Sequence, residues 1–446
     1  MLAHRRDAPD FSCGLEVSGD GGRTWGPAQP ITKLPAGAEK CYAPEVAFDR
    51  SGRLYFLFVG LAGAGNRPMG AFLTSSSDHA RTFTTPGRIL GPLKFGVRMA
   101  IDTSWGAQGR IHIVWVDSRS DVGLGAFGPP PNPVMTAHSD NGGRSFSKPV
   151  QVSDVRRERV VAPALALAPH HGVDIVFYDL GRDAVDYQGL EGPVWEEPWS
   201  LVLSRSRDGG ASFDPEVVVD DGVIAPERVM LIFTMPPPSL AMRGGHLCLA
   251  WADGRFGDSD VLLRCSSDAG RHWAPVERVN DDKRNDGRRQ YLPRLGWASS
   301  GRLDLAFLDR RDDYINRSNH VYYAYSTDNG HHFSRNVRVT RVNSDATVGS
   351  RYAGAAAKNQ VEFGSRIGVL SMRDRVVVAW PDTRNTTTSG TAQEIFVADV
   401  AVRGPSHPAR PAGIALALLG VAGLVAVLLR KRSAAPADEA VAEVPT

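Results

Sequence analysis

The sequence lacks any concentration of charge of one sign. Its 51 Lys and Arg residues and 49 Asp and Glu residues leave a formal net charge of +2 over 446 residues, and the arginines are scattered along the chain. Proteins that bind nucleic acids need a massed basic surface to neutralise phosphates. We therefore expect no nucleic-acid partner.

Cysteine is scarce, with four residues, and no Cys-x-x-Cys pair or His/Cys cluster indicates zinc. We expect no metal site and no cofactor. Calcium is a weaker alternative at Asn280–Asp286, whose acidic side chains offer oxygen ligands without the spacing of a recognised loop. Cys248 and Cys265 are equidistant from a predicted hairpin bend near Phe256. A disulfide, which fits an oxidising compartment, and two buried free thiols are both compatible with that placement.

The first residues, Met1–Asp10, lack the apolar core of a signal peptide. The residues that follow, Phe11–Val17, already have the pattern of a strand that precedes a turn. We therefore expect the true start of the protein, with a leader, to lie upstream.

A long hydrophobic run is present at Pro411–Leu429, which carries no charge and is followed directly by the basic residues 430–432. About twenty apolar residues span a bilayer as a helix, and a basic cluster stays cytoplasmic. The predicted organisation is a repeat domain at 1–402, a Pro-rich linker at 403–410, a transmembrane helix at 411–429 and a cytoplasmic tail at 430–446. A single pass through the cell membrane would then leave the repeat domain outside the cytoplasm.

One short pattern, Ser-x-Asp-x-Gly-x-(Thr/Ser/His)-(Trp/Phe), occurs six times with small departures and at nearly even intervals. The copies are Ser18–Trp25, Ser76–Phe83, Ser139–Phe146, Ser206–Phe213, Ser266–Trp273 and Ser326–Phe333. The Asp carboxylate accepts backbone N–H groups in a tight turn, the Gly supplies a positive φ, and the aromatic residue packs on the sheet. We predict structural turns whose third residues are Asp20, Asp78, Asn141, Asp208, Asp268 and Asp328.

A second pattern precedes these turns: an apolar strand that ends in an aromatic-x-Asp-x-Arg-like loop. The alternation in Ile111–Trp115 and Leu303–Phe307 has the period of a half-buried strand. One unit is then four short antiparallel strands, and such units repeated around an axis form a propeller. The prediction is an all-β, six-bladed β-propeller, with a seventh, incomplete blade as the alternative, and a single C-terminal transmembrane helix.

The six turns resemble the Asp-box, or BNR repeat, of sialidase-like β-propellers over roughly Leu15 to Val400. The resemblance is specific for the fold and much less so for activity, because this repeat also occurs in propellers that hydrolyse nothing. It implies, for an enzyme, an arginine triad on the sugar carboxylate, a Tyr nucleophile assisted by Glu, and an Asp acid/base. The Arg-Ile-Pro signature of the family is not found in this sequence.

The loops after the second strands share one face with the connections between blades. Their side chains are candidates to bind an anionic or hydroxyl-rich ligand, since Arg binds carboxylates and Asp accepts from hydroxyls. The candidates are Asp117, Arg119, Asp179, Arg182, Asp253, Arg255, Asp309, Arg311, Asp382, Arg384, Tyr291 and Arg351. Because the Asp–Arg pattern recurs in five units, a structural clamp within each blade is the stronger interpretation.

Residues that do not recur are better candidates for catalysis, and Arg366, Tyr352 and Arg98 are the ones considered. The sequence leaves three functions open. The first is a membrane-anchored propeller that binds a carbohydrate or another surface ligand. The second is an exo-α-sialidase or related glycosidase, and the third is a protein-interaction scaffold. Three Arg side chains that converge beside a Tyr–Glu pair would favour the enzyme.

Overall fold

The computed structural model describes residues 2–6, 12–31, 33–63, 67–106, 109–118, 129–184, 197–225, 237–345, 366–385 and 394–402. Within these ranges the secondary-structure elements are 27 β-strands. The prediction of an all-β fold is therefore confirmed.

The strands form seven antiparallel sheets, each a meander in chain order. Sheet 1 contains β1 (Leu2–Arg6), β2 (Ser12–Glu16) and β3 (Gln29–Pro30), and sheet 2 contains β4 (Lys40–Phe48), β5 (Leu54–Ala62), β6 (Arg67–Ser76) and β7 (Gly87–Leu90). Sheet 3 contains β8 (Lys94–Asp102), β9 (Arg110–Asp117), β10 (Val134–Ser139) and β11 (Val150–Gln151). Sheet 4 contains β12 (Val160–Ala168), β13 (Gly172–Asp179), β14 (Trp199–Ser206) and β15 (Val217–Val223).

The remaining three sheets continue the same order. Sheet 5 contains β16 (Ser239–Arg243), β17 (His246–Asp253), β18 (Asp260–Ser266) and β19 (Glu277–Arg278). Sheet 6 contains β20 (Gln290–Trp297), β21 (Leu303–Asp309), β22 (Ser318–Ser326), β23 (Val337–Arg338) and β24 (Ser344–Asp345), the last of which pairs with β22. Sheet 7 contains β25 (Gly368–Ser371), β26 (Arg375–Asp382) and β27 (Glu394–Ala401).

The second strand of a sheet is buried on both faces, which corrects the expectation of half-buried strands. In β9 every residue from Arg110 to Val116 is buried, and all seven residues of β21 are buried. The reason is that each sheet lies between two others, so that both faces of its second strand are covered. The polar residues of these alternating patterns, His112 and Asp304, are therefore buried as well.

The sheets are arranged in a ring in which the first strands lie innermost. Consecutive first strands contact one another from β4 through β8, β12, β16 and β20 to β25, and β1 contacts β4. Arg375 of sheet 7 donates through Nη2 to the Gly21 carbonyl of the first turn at 2.6 Å. Arg110 of sheet 3 makes the corresponding bond to Gly209 in the turn of sheet 4, at 3.1 Å. The same type of contact thus joins neighbouring sheets at different points of the ring.

Sheets 1 and 7 contain three strands each, and they are the two that the Arg375–Gly21 contact brings together. No strand of sheet 1 pairs with a strand of sheet 7 among the described residues. Counted as two blades they give seven, and counted as parts of one blade they give six. The number of blades stays a prediction.

Each Asp-box is a turn whose backbone N–H groups are captured by its own side chains. In the first copy Ser18 Oγ accepts from the Gly22 N–H at 2.7 Å, and Asp20 Oδ1 accepts from the N–H groups of Arg23 and Thr24 at 2.9 Å. The Thr24 hydroxyl donates to Asp20 Oδ2 at 2.6 Å. Corresponding bonds are made by Asp78, Asn141, Asp208, Asp268 and Asp328. The turn is therefore satisfied internally and needs no neighbour for its hydrogen bonds.

The fourth and fifth residues of each turn have positive φ, as at Gly21 (76°) and Gly22 (93°). Glycine is favoured there because it has no Cβ to resist this conformation. The second turn uses His79 and Ala80 instead, with φ of 61° and 65°. The fifth residue also lies directly on the neighbouring sheet: a Cβ on Gly22 would be 3.1 Å from Val377 Cγ2.

Two disulfides are present, and no cysteine is free. Cys248 and Cys265 are direct cross-strand partners in sheet 5, so the structure selects the disulfide from the two alternatives that the sequence left open. Cys13 and Cys41 link β2 to β4 and thereby join sheets 1 and 2 covalently. That second pairing was not predicted.

No helix in the described part of the chain is long and apolar enough to cross a membrane. The predicted transmembrane run Pro411–Leu429, the linker before it and the tail after it all lie outside the described residues.

Substitution of Gly330 by Ala should destabilise the protein by about 2–3 kcal/mol. Gly330 has a φ of 89°, and a Cβ there would collide with Cys265 Sγ and lie 3.4 Å from Cys248 Sγ. Gly244→Ala is the control, because Gly244 has a φ of 60° with nothing within 4 Å, and it should cost about 1 kcal/mol. Urea unfolding measures both, and equal losses would contradict contact with the disulfide.

The Asp-box turns should become less stable when acid protonates their carboxylates. Hydrogen bonds from Ser326 and His332 overcome the effect of burial and lower the pKa of Asp328 to about 2. A lowered pKa gives stability that is fully present above about pH 4 and is lost as the pH falls through about 2. Asp328→Asn, which copies the natural Asn141, should therefore show a smaller loss of unfolding free energy between pH 4 and pH 2 than the parent chain. Asp221→Asn, at an exposed carboxylate outside the turns, should leave that loss unchanged in the same urea titrations.

Candidate functional site

The first strands share a β-bulge that determines which side chains face the axis of the ring. The pairing register shifts between Tyr42 and Glu45 in β4 and between Phe95 and Arg98 in β8. It shifts at the same place in β12, before Ala164, and in β20, before Arg294. The second residue of each bulge has positive φ: Ala43, Gly96, Ala162 and Leu292, at 48–58°. A bulge re-aims the side chain that follows it, so the shared geometry gives four sheets an equivalent position at the axis.

Arg366 belongs to this set by sequence. Phe363-Gly364-Ser365-Arg366 repeats the pattern of Phe95-Gly96-Val97-Arg98, and β25 begins two residues later at Gly368. Of this segment, Arg366 itself is described. The axial positions are therefore Glu45, Arg98, Ala164, Arg294 and Arg366.

The arginines gather around Glu45. Arg98 Nη1 lies 3.3 Å from Glu45 Oε1, and Arg366 Nη1 makes a short ion pair with the same oxygen. Glu45 Oε2 accepts the backbone N–H of Met99 at 2.7 Å. Arg294 makes no ion pair with the carboxylate, but it is close enough to interact with it electrostatically. Three positive charges thus face one negative charge inside the ring.

The surroundings of this cluster are partly shielded from water. Burial raises the pKa of Glu45, although Arg366 and the Met99 N–H oppose the shift. Burial among the surrounding protein lowers the pKa of Arg294, although Glu45 opposes the shift, and yet the Arg294 side chain is exposed. The two findings agree if Arg294 projects into a solvent-filled channel that the ring encloses. Among the axial arginines it is then the one most available to a ligand.

The Asp–Arg loops of sheets 5, 6 and 7 are internal clamps. Arg255 Nη2 lies 2.6 Å from Asp253 Oδ2 and 2.7 Å from Asp220 Oδ1. Burial opposes the charge on Arg255, but the ion pairs with both carboxylates hold its pKa above the usual value. Trp251 Nε1 donates to the same Asp253 oxygen at 2.8 Å.

The other two clamps repeat this arrangement. Arg311 lies 2.7 Å from Asp309 Oδ2, and Arg384 lies 2.6 Å from Asp382 Oδ2. Burial raises the pKa of Asp309 to about 6 in spite of Arg311. These arginines bond to the Asp of their own loop, and Arg255 also pairs with Asp220 of the neighbouring sheet 4.

In sheets 3 and 4 the corresponding Asp has a different partner. Asp117 pairs with Lys94, and Asp179 Oδ2 lies 2.5 Å from Arg157 Nη1. Arg182 is exposed, and Arg119 lies outside the described residues. In all five sheets, therefore, the described Asp is engaged within the protein.

Of the tyrosine candidates, Tyr291 lies in the core and not at the axis. Tyr291 is 2% exposed, its hydroxyl donates to Asn319 Oδ1 at 2.6 Å, and Arg310 donates to it at 3.0 Å. It is a core residue with a satisfied hydroxyl. Tyr352 and Arg351 lie outside the described residues.

The acidic segment considered for calcium is held by a guanidinium and an amide. Arg278 bonds to Asp260 Oδ1 at 2.7 Å and to Asp282 Oδ1 at 3.0 Å. Asn280 Nδ2 lies 2.7 Å from each of the same two oxygens. In the described part of the chain, no three His, Cys, Asp or Glu side chains are grouped so as to hold a metal ion.

Sequence reasoning singled out Arg98 and Arg366 but missed Glu45 and Arg294. A signal was present: Tyr42-Ala-Pro-Glu45 and Tyr291-Leu-Pro-Arg294 share an aromatic residue, an aliphatic residue and a Pro before the charge. These segments read as short apolar runs, and the bulge that makes their fourth residue axial is not visible in the sequence.

Glu45 and Arg98 should behave as a coupled pair. Glu45→Gln and Arg98→Gln should each lower the unfolding free energy, and the double variant should lose about 1–3 kcal/mol less than the sum, because the shared ion pair is removed only once. The cycle is measured by urea unfolding at low salt. Arg98→Gln combined with Arg156→Gln, at an exposed arginine that pairs with Asp154, should be additive within about 0.5 kcal/mol. Additivity in the Glu45 cycle would rule out the coupling.

Comparison with known proteins points to the repeat. The model of the BNR repeat-containing family matches residues 232–367. No curated protein sequence matches this chain. Among solved structures it is similar to a Hadza microbial sialidase (12% identity, TM-score 0.46), covering 78% of this chain and 64% of that one.

Two further solved structures are similar at the same level. An α-L-arabinofuranosidase from Fusarium graminearum shows 11% identity and a TM-score of 0.47, over 81% of this chain and 93% of that one. An α-L-arabinanase from Penicillium chrysogenum shows 12% identity and a TM-score of 0.45, over 90% and 99%. The family match lies within the span of the six Asp-box turns and the second-strand loops, from Ser18 to Arg384. Over residues 232–367 the chain is therefore similar to the BNR repeat-containing family.

Proposed function

We propose that this protein binds an acidic carbohydrate in the central channel of a propeller, through Arg98, Arg294 and Arg366. The observation that carries the proposal is that Arg98 and Arg366 both pair with Glu45, while Arg294 follows a bulge equivalent to that before Arg98 and interacts electrostatically with the same carboxylate. Guanidinium groups bind carboxylates with paired hydrogen bonds and stay charged when partly buried. The excess of positive charge over the single carboxylate leaves binding capacity for an anion.

The channel is a better ligand site than the Asp–Arg loops. In those loops Arg255, Arg311 and Arg384 are already paired with carboxylates of the protein. A ligand would have to break a clamp in order to use them, whereas Arg294 is exposed and has no ion pair among the described residues. We therefore place the ligand contact at the axial arginines and not at the side chains of the Asp–Arg loops.

The proposed setting is the outer side of a cell membrane, with the segment 411–429 as a single-pass anchor and the tail in the cytoplasm. Two disulfides support an oxidising compartment, since such bonds persist outside the cytosol. The partners are then a carbohydrate and the membrane. We propose no bound cofactor, and calcium at Asn280–Asp286 remains a lesser alternative.

Hydrolysis of a terminal sialic acid is the second candidate function. One observation favours it: the arginines converge next to a glutamate, which is half of the arrangement that the resemblance implies for an enzyme. The tyrosine that would complete it is proposed to be Tyr352. A scaffold for protein partners is the third candidate, and no feature of the channel favours it.

Binding is tested by titration calorimetry of the full chain in detergent with the methyl α-glycoside of N-acetylneuraminic acid and with neutral methyl galactoside. We expect the acidic sugar alone to bind. Arg294→Ala should weaken that binding by about tenfold or more, because a charged contact to the carboxylate is lost. Arg81→Ala, at an exposed arginine of an Asp-box turn, is the matched control and should bind like the parent chain.

Equal binding by the Arg294→Ala and parent chains would remove the ligand from the channel. Equal binding of the neutral and acidic sugars would remove the charge argument. Release of 4-methylumbelliferone from its α-sialoside, measured on the same preparations, separates the two leading functions. Turnover that is lost in Tyr352→Phe would establish the hydrolase, and binding without turnover would establish the binding protein.

A further inference from the structure

Sheet 3 contains a pair of histidines in an unusual setting. His112 in β9 and His138 in β10 are direct cross-strand partners, and their ring centroids are 6.2 Å apart. His112 is 1% exposed, while the side chain of His138 is 18% exposed. Both ring nitrogens of His112 and Nδ1 of His138 find no hydrogen-bond partner among the described residues. Buried polar atoms normally have partners, so three such nitrogens at one place call for an explanation.

The pair lies at the seam between sheets 3 and 4. The turn Ser206–Phe213 of sheet 4 is placed over it, and a Cβ on Gly210 would be 3.5 Å from His112 Nδ1. Next to this contact, Arg110 of sheet 3 donates to the Gly209 carbonyl of the same turn at 3.1 Å. His112 therefore forms part of the surface on which the neighbouring turn rests.

Burial and the positive charge of Arg110 oppose protonation of the pair. Arg110 is held by Asp140 through bonds of 2.5 and 2.7 Å and repels a proton on either histidine. The other titratable groups that act on the pair are Asp102, Asp140 and Asp208, all of them carboxylates that favour the charged form. Burial outweighs them and, with His138 and Arg110, lowers the pKa of His112 to about 4. Burial and Arg110 lower the pKa of His138 as well.

We propose that the seam between sheets 3 and 4 is an acid-responsive joint, in which protonation of His112 and His138 releases the turn Ser206–Phe213 from the surface of sheet 3. At neutral pH both rings are uncharged and pack as apolar surface. Below neutral pH the His112 ring, which is 1% exposed, accepts a proton more readily in a form in which the turn has lifted and water reaches the ring.

The direction of the effect follows from the two protonation states. In the open form the pKa of His112 returns to about 6.5, whereas in the closed form it is about 4. Between these values the open form binds a proton that the closed form does not, so opening becomes easier as the pH falls from about 6.5 to about 4. A second contact between sheets 3 and 4 is the bond of 2.9 Å between His171 Nδ1 and Asp102 Oδ2. Ser104 and His171 lower the pKa of Asp102 in spite of its burial, so Asp102 stays charged and this bond is not weakened between pH 6.5 and pH 4. Opening is therefore local to the turn.

Hydrogen exchange of the full chain, read by mass spectrometry and corrected for intrinsic rates, measures this opening. The amides of residues 206–213 should be protected about tenfold less at pH 5 than at pH 7. The turn Ser76–Phe83 serves as an internal reference and should change little. Equal protection of residues 206–213 at the two pH values would overturn the proposal without any variant.

The variant that tests the cause is His112→Val. Valine is the natural residue at the equivalent position of sheet 7, where Val377 lies under Gly22. The variant should keep residues 206–213 equally protected at pH 5 and pH 7. His331→Asn removes an exposed histidine from another turn and should retain the pH dependence of the parent chain. Should His112→Val not fold, His112→Asn serves in its place, and a retained pH dependence in either folded variant would contradict the proposal.

Discussion

The fold depends on how each Asp-box satisfies its own backbone. One hydroxyl and one carboxylate take up the N–H groups of the turn, as Ser18 and Asp20 do in the first copy. The turn can then be pressed against another sheet without leaving a donor unpaired. Because its fifth residue is a glycine in five of the six copies, the backbone itself reaches the neighbour. These packed turns and the first-strand contacts hold neighbouring sheets together, in addition to the disulfide of Cys13 and Cys41 and to backbone hydrogen bonds such as that from Gln290 N–H to the Ser259 carbonyl at 2.7 Å.

The features that the sequence could predict are local ones. An Asp-box is eight residues long, and Asp253 and Arg255 of one clamp are two positions apart, so both features can be predicted from a short stretch of sequence. The channel is different, because Glu45 meets Arg98 across 53 positions and Arg366 across 321. Those contacts follow from the bulge and from ring closure. The disulfide of Cys13 and Cys41 was missed for the same reason, and so was the double burial of β9, which depends on sheets that are distant in sequence.

One cross-strand position is occupied by different chemistry from sheet to sheet. The residue pairs at this position in sheets 2 to 7 are, in order, Tyr55 and Ser75, His112 and His138, Asp174 and Arg205, Cys248 and Cys265, Asp304 and Tyr325, and Val377 and Asp399. In sheets 3, 5 and 7 this position lies under the next Asp-box turn. The backbone repeats while the bond that supports it changes between a disulfide, an ion pair and uncharged packing. The chemistry at this position therefore differs from seam to seam, although the seams share one geometry.

The bulge in the first strands has a consequence for how chains with this repeat are compared. A bulge adds one residue to a strand and re-aims the side chain that follows it, while the later pairing continues in register. Deletion of Ala43 or Leu292 would restore regular pairing and carry Glu45 or Arg294 away from the axis, into the dry layer between sheets. The charge at the axis thus depends on the number of residues in the first strand as well as on which residues these are. An alignment that places a gap within Tyr42–Glu45 or Tyr291–Arg294 would match a residue that faces the axis with a residue that lies between two sheets.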